Sequence, residues 1–215
     1  MYIQITTRCN MKCAHCCGSY TEKGTDMSRD VFLAAVQEAE ARGEFVTIGG
    51  GEPTLHPLFW DFIGLALAHE DSKGSVHVIT NGSRKETALR LARLARTGAV
   101  GADLSRDKYH SVIDPLVVTA FTREDNNSWA RDHNDLRGIR TVDSILNLGR
   151  AKLNSIGIED GCSCNDLFVT PDGKLWACAH QDLQFGTIFD PDIPEFYSDS
   201  DQCSQKMLEV FEEAA

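Results

Sequence analysis

Cys9-Asn10-Met11-Lys12-Cys13-Ala14-His15-Cys16 is the stretch on which the reading of this chain turns: three cysteines spaced CxxxCxxC, directly after the short apolar run Tyr2-Ile3-Gln4-Ile5-Thr6. Soft thiolates select zinc, Cu(I) or iron–sulfur clusters, and a four-ligand preference met by three protein ligands leaves one position for a small molecule. No fourth cysteine follows at ligand spacing. Buried structural cysteines explain isolated residues well and this spacing poorly. Cys17, next to Cys16, is read as a bystander whose side chain points elsewhere.

The composition narrows the partners. With 215 residues the chain can bury a substantial core in one main domain and carry a small appendage. Its 21 Lys+Arg against 32 Asp+Glu give a net charge of −11, so counterion release on a polyanion brings little and direct nucleic-acid binding is disfavoured. No apolar run approaches the ~18 residues of a membrane span, and no charged-then-apolar leader opens the chain. The expectation is a cytoplasmic protein without a membrane partner. Its eight cysteines therefore point to metal binding or reduced thiols, not disulfides. They fall into two sets, Cys9, Cys13, Cys16, Cys17 and Cys162, Cys164, Cys178, Cys203, which implies one site at each end.

Along the chain, strand and helix patterns alternate. Residues 2–6 read as a strand delivering the cysteine loop. Ser28 caps a helix with Val31, Phe32, Ala35, Val36 and Ala39 on one stripe, and Gly43 ends it. Phe45 to Ile48 is a strand leading into Gly49-Gly50-Gly51-Glu52-Pro53. Pro57 to His69 is helical, Val76 to Thr80 a strand ending at Asn81-Gly82, and Lys85 to Arg96 a helix. Val100 to Leu104 predicts a fourth strand, Asp114 to Phe121 a helix, Ile139 to Val142 a fifth strand, and Asp143 the cap of a helix running to about Gly149. Residues 124–129 read as loop. From about Ser155 the alternation stops, and Phe168 to Trp176 reads as a β-hairpin around Pro171-Asp172-Gly173, with a short amphipathic helix from Gln205 to Ala215. Alternation of this kind predicts βαβ units and a parallel sheet whose ligands lie at the carboxyl ends of the strands.

Consecutive glycines at a strand end let a ligand approach the backbone, whose N–H and C=O groups can bond its polar ends; a tight turn is the plainer alternative. Thr80-Asn81-Gly82, and Asp103-Leu104-Ser105 with Asp107-Lys108-Tyr109-His110, lie at further strand ends, where simple turns and solvated polar side chains are the competing readings. Arg150 suits a carboxylate ligand and equally a surface ion pair.

Taken together, the cysteine loop and Gly50-Gly51-Glu52-Pro53 resemble the cluster loop and GGEP motif of the radical S-adenosylmethionine (SAM) enzymes. The resemblance implies that Cys9, Cys13 and Cys16 hold a [4Fe-4S] cluster, that SAM's amino and carboxylate groups chelate its fourth iron, and that His15 lies against the adenine. That family more often has Phe, Tyr or Trp at the position of His15. Gly50, Gly51, Glu52, Asn81 and Arg150 would be cofactor-binding, and Ser105 and His110 would face the reaction as catalytic residues. The implied chemistry is reductive cleavage of SAM to a 5′-deoxyadenosyl radical that takes hydrogen from a substrate, with a flavodoxin- or ferredoxin-type electron donor. Cys162, Gly173 and Cys178 are spaced like the opening of the family's SPASM and twitch extensions. By that likeness Cys162, Cys164, Cys178 and Cys203 would bind an auxiliary [4Fe-4S] cluster, while a structural zinc site uses the same residues equally well. A full SPASM domain has more cysteines, including a CxxCxxxC that is absent here, so the tail would hold one auxiliary cluster at most.

The expected architecture is α/β: a partial (β/α) barrel over residues 1–155 and a hairpin-bearing, cluster-binding segment over 156–215, with one strand of the usual six missing or lying within 124–160. The substrate, whether small molecule, nucleoside-type or peptide, stays open. The absence of a peptide-recognition domain ahead of Met1 counts against a peptide unless a partner presents it. An iron–sulfur electron carrier and a zinc-stabilised binding module are the alternatives from other classes.

Overall fold

Ile3 and Ile5 alternate with Tyr2, Gln4 and Thr6, and this period of two divides the first strand into an apolar and a polar face. The computed structural model describes residues 1–69, 75–123, 134–142, 145–157, 167–181 and 183–190. In it the two isoleucines of β1 (Tyr2–Thr6) are fully buried in the core, whereas Tyr2 and Gln4 line cavities. β1 is followed by α1 (Arg29–Arg42), β2 (Val46–Gly50), a 3₁₀ turn (Pro53–Leu55), α2 (Phe59–His69), β3 (Val76–Thr80), α3 (Lys85–Arg96), β4 (Gly101–Ser105), α4 (Pro115–Phe121), β5 (Arg137–Arg140) and α5 (Gly149–Leu153). Three short strands close the described chain: β6 (Phe168–Val169), β7 (Lys174–Trp176) and β8 (Gln184–Thr187).

All of these strands form one sheet, in the order β5-β4-β3-β2-β1-β6-β7-β8. The pairs from β5 to β6 are parallel, and β6–β7 and β7–β8 are antiparallel. The architecture is that of a partial (β/α) barrel. A sixth parallel strand is present, but among the described residues it is not within 124–160. It is β6, the first arm of the predicted hairpin, which pairs with the outer edge of β1 at Tyr2↔Phe168 and Ile3↔Val169.

The core lies between the sheet and its helices. Ser28 Oγ accepts from the Val31 N–H, and Gly43 ends α1 in the left-handed region, both as the sequence implies. Phe32 of α1 stacks on Phe62 of α2 with ring centroids 4.1 Å apart and planes 3° from parallel. Val31, Phe32, Ala35, Val36 and Ala39 are all buried. Asp114 caps α4 through the Leu116 N–H, with Pro115 at the first helical position.

Two expectations differ in detail. Before α2, Glu52 caps the 3₁₀ turn, so the helix starts at Phe59 and not at Pro57. α5 starts at Gly149, where the sequence had placed a helix ending; Asp143, its expected cap, lies outside the described residues.

Candidate functional site

The carboxyl ends of β1 to β5 surround a cavity of about 260 Å³. Cys9, Cys13, Cys16 and His15 line it from the loop after β1, Gly50 and Gly51 from the end of β2, Asn81 from β3, Ser105 and His110 from β4, and Arg150 from α5. Residues far apart in the chain thus meet at one place, as a parallel sheet requires of its ligand site. Met11, Ile79, Val142, Ile145 and Leu146 supply apolar wall.

The cysteine loop is fastened from three sides. From β1, Thr6 Oγ1 donates to Asp26 (2.6 Å), and Arg8 bonds both Asp26 Oδ2 and the Leu55 carbonyl at 2.9 Å. From β2, the N–H groups of Gly51 and Glu52 donate to the carbonyls of Thr6 (2.8 Å) and Arg8 (2.7 Å). From α5, the Arg150 N–H donates to the Cys16 carbonyl (2.9 Å), and its guanidinium donates to the carbonyls of Cys13 (2.9 Å) and Tyr20 (2.8 Å). Arg150 is therefore a brace of the cysteine loop as well as a wall of the cavity, and it forms no surface ion pair among the described residues.

The glycine run has a second reason to be glycine. Gly50 has φ +146, and a Cβ there would stand 2.3 Å from the Thr6 carbonyl oxygen; at Gly51 a Cβ would be as close to that of Arg8. The N–H groups of Gly50, Gly51 and Glu52 are all engaged within the protein, the first by Tyr2 Oη at 3.1 Å. Of the expected backbone contacts to a ligand, those through these N–H groups are thereby corrected: the run offers close approach, with these donors taken by its own chain.

Glu52 does not line the cavity. Its carboxylate is fully buried beneath it, where Oε1 accepts from the Thr54 N–H (3.2 Å), Thr54 Oγ1 (2.5 Å) and Thr80 Oγ1 (2.7 Å), and Oε2 from the Asn81 N–H (2.6 Å). Burial pushes its pKa above the ordinary carboxylate value despite these bonds. Glu52 thus ties the ends of β2 and β3 together and aims Asn81, whose amide donates to Cys9 Sγ (3.8 Å) and to Asn10 Oδ1 (3.3 Å).

Cys9, Cys13, Cys16 and Cys17 are free of disulfides. Burial raises the Cys13 thiol to about 11, and its neighbours Cys9 and Cys16 add to the rise by charge repulsion. Three soft donors facing one cavity, with a sulfur that also accepts N–H groups from Met11 and Asn81, fit a cluster held by three thiolates. Cys17, expected to point elsewhere, also lines this cavity and a neighbouring one of about 460 Å³.

On the β4 side, Asp107 Oδ1 accepts from the Tyr109 N–H (2.8 Å) and pairs with His110 Nδ1 (2.9 Å), while Oδ2 lies 3.8 Å from His15 Nε2. Burial alone would raise the Asp107 pKa, but these donors hold it below the ordinary value. Burial lowers that of His15, whose ring lies 4.9 Å from Tyr109 and 5.0 Å from His110. Tyr2, Tyr20 and Arg140 also line the cavity and were not singled out by sequence patterns, whereas Asp107 and Tyr109 belong to the strand-end stretch that was.

In the second cysteine set, Cys178 is buried just beyond β7 with its Sγ 3.7 Å from His180 Nδ1. Cys162, Cys164 and Cys203 lie outside the described residues.

Geometry and motif agree with comparison to known proteins: residues 3–133 match the Radical SAM superfamily, and the chain belongs to that family. The mycofactocin maturase MftC of Mycobacterium ulcerans (strain Agy99) is 35% identical over 106 residues, which is 48% of this chain and 28% of that protein. The tungsten-containing aldehyde ferredoxin oxidoreductase cofactor-modifying protein of Pyrococcus furiosus (strain ATCC 43587) is 40% identical over 108 residues, again 48% of this chain and 28% of the relative. These matches span little more than a quarter of the relatives' length. In fold, the chain is similar to BtrN in complex with AdoMet and 2-DOIA, with a TM-score of 0.61 over 89% of this chain and 80% of that one, at 17% identity. Among the described residues no helix is long and apolar enough to cross a membrane.

Proposed function

We propose that the chain is a SAM-cleaving enzyme that modifies its substrate by hydrogen abstraction, with Cys9, Cys13 and Cys16 holding an open [4Fe-4S] cluster. The observation that carries this reading is the meeting of those three thiols with Gly50, Gly51, Asn81, Ser105 and His110 on one cavity at the carboxyl ends of the parallel strands. When bound, the cluster and SAM supply reductive cleavage of the sulfonium and a 5′-deoxyadenosyl radical that takes a hydrogen atom from carbon.

The protein's own part is to bind, orient and exclude water. The side-chain-free edge of Gly50 and Gly51 admits the methionine end of SAM against the backbone, and Asn81, set by Glu52, closes that side. His15, packed by Tyr109 and His110, receives the adenine. Arg150 holds the cysteine loop in shape and adds positive charge beside a carboxylate ligand. The apolar wall of Met11, Ile79 and Leu146 keeps the radical from solvent. Ser105 and His110 face the substrate. The electron needed comes from a flavodoxin- or ferredoxin-type donor, and the tail cysteines Cys162, Cys164, Cys178 and Cys203 serve an auxiliary cluster in the segment 156–215. Because the relatives are named as a maturase and a cofactor-modifying protein, a peptide or a cofactor precursor stands first among substrates.

Anaerobic reconstitution with iron and sulfide, then dithionite and SAM, with chromatography for 5′-deoxyadenosine, tests the reading. Charge-transfer absorbance and 5′-deoxyadenosine are expected. A colourless protein that leaves SAM intact would sink it.

A further inference from the structure

We propose that His15, Asp107 and His110 form a second metal site, separate from the cysteine loop, which takes one divalent first-row metal ion and presents it to an oxygen atom of the substrate. The site stands on its own geometry; its use in the reaction rests on the reading of the cysteine pocket as the SAM site.

The three side chains come from two strand ends. Asp107 and His110 sit in one turn after β4, closed by the His110 N–H on the Asp107 carbonyl (3.3 Å) and by the Tyr109 N–H on Asp107 Oδ1 (2.8 Å). His15, in the loop after β1, meets them with Nε2 3.8 Å from Asp107 Oδ2, while His110 Nδ1 lies 2.9 Å from Oδ1. One nitrogen from each ring and one carboxylate oxygen lie within 4.8 Å of one another. Ligands ~2.1 Å from a shared metal stand ~3.0 Å apart at a right angle and at most ~4.2 Å apart, so a shift of about half an ångström gathers all three.

Hydrogen bonding points to the same place independently. Among the described residues three buried side-chain N or O atoms have no hydrogen-bond partner, and two of them, Asp107 Oδ2 and His15 Nδ1, belong to this cluster. The Asp107 side chain is only 10% exposed, and those of the two histidines 12%. A carboxylate oxygen buried without a donor is costly, and a cation beside it removes the cost.

Two imidazoles and one carboxylate suit manganese(II), iron(II) or zinc, and three protein ligands leave coordination positions for water or a substrate oxygen. His15 and His110 line the cysteine pocket, whereas Asp107 and His110 line a smaller cavity of about 190 Å³ that shares Asn81, Ser105 and His110 with it. The ion would therefore stand in the wall between the two, and a substrate oxygen bound to it would be held beside the place where the radical is generated. Ligation uses the edge of the His15 ring and stacking on an adenine uses its face, so one side chain can serve both.

Manganese(II) is the probe, because it favours oxygen ligands over the thiolates that draw zinc. The anaerobically reconstituted protein, freed of loosely held iron with a chelator, is titrated with manganese(II), and the free ion is read from its six-line paramagnetic resonance. One ion per chain is expected in wild type, with Kd raised about tenfold or more in D107N, H110Q and H15F. Faster relaxation of water protons should accompany binding, as open coordination positions require. No binding to wild type would overturn the proposal by leaving the cluster a hydrogen-bonded turn. Equal affinity in all three variants would overturn it by placing the ion on other groups, and unchanged water relaxation would overturn the open position for substrate. D107N keeps the side-chain shape and the acceptor for the Tyr109 N–H, and thermal unfolding of each variant separates lost binding from lost fold. The titration needs no turnover: wild type that binds manganese(II) yet yields no 5′-deoxyadenosine keeps the metal site and loses the SAM reading, and the reverse result does the opposite.

Discussion

Glu52 shows how a motif residue can act without touching a ligand. Four donors from β2, β3 and the intervening turn converge on its buried carboxylate. Removing it leaves several buried donors unpaired, at ~1–3 kcal/mol each. E52A is therefore expected to lose about 3 kcal/mol of unfolding free energy and to take up less iron on reconstitution, as read by denaturant titration and iron assay. E52Q keeps the acceptor toward Thr54 and Thr80 and should fall between E52A and wild type. His56 is a second residue of this kind. Its Nδ1 accepts from the Leu58 N–H (3.0 Å), so its Nε2 carries the proton and donates to the Met27 carbonyl (3.0 Å). Burial holds its pKa below the ordinary histidine value, although the Met27 carbonyl opposes this. A lowered folded pKa means stability that is present above the unfolded value and is lost as pH falls through the folded one. Unfolding free energy should drop as pH falls below about 6.5 in wild type, and by less in H56Q. Identical pH slopes in the two proteins would count against this assignment.

At the scale of elements, α5 is the least expected part. Capping rules place its start at a side-chain cap, yet Leu148 offers none, and the Arg150 N–H is satisfied by the Cys16 carbonyl. A cap that lies across the fold leaves no local trace in sequence, which is why the boundary was misplaced while that of α1, capped by its own Ser28, was legible. Gly149 makes the contact possible. Its φ is +52, and a Cβ would stand 2.1 Å from the Cys17 carbonyl oxygen. G149A should cost about 2 kcal/mol or more and loosen the cysteine loop. Lower cluster occupancy and slower SAM cleavage, with the far-UV spectrum retained, are the expected readouts.

Across the whole molecule, the hairpin of β6 and β7 continues the same sheet as the barrel strands, with Tyr2 stacked on Phe168 at 5.1 Å between ring centroids. Cys178, just beyond β7, is thus carried on the far side of β1 from the other barrel strands. If the tail binds its own cluster, the triple variant C9A/C13A/C16A should keep about four irons per chain after reconstitution. Loss of all iron would show that the tail holds no cluster, and zinc without iron would favour the structural-metal alternative.

Sequence by itself determined what depends on near neighbours: the alternation of strands and helices, the caps at Ser28 and Gly43, the Pro-Asp-Gly hairpin, and the three-thiol loop with its glycine partner. Period, capping and ligand spacing are all set within a few residues. Tertiary structure alone decided what depends on register and approach: β6 beside β1, Glu52 buried and not lining the cavity, Arg150 bracing the loop, and Ser105 beside Arg140. Those relations arise because strand pairing brings together side chains that share no local pattern. The grouping of Cys9, Cys13 and Cys16 was legible from spacing, but the walls of the cavity they line belong to the fold.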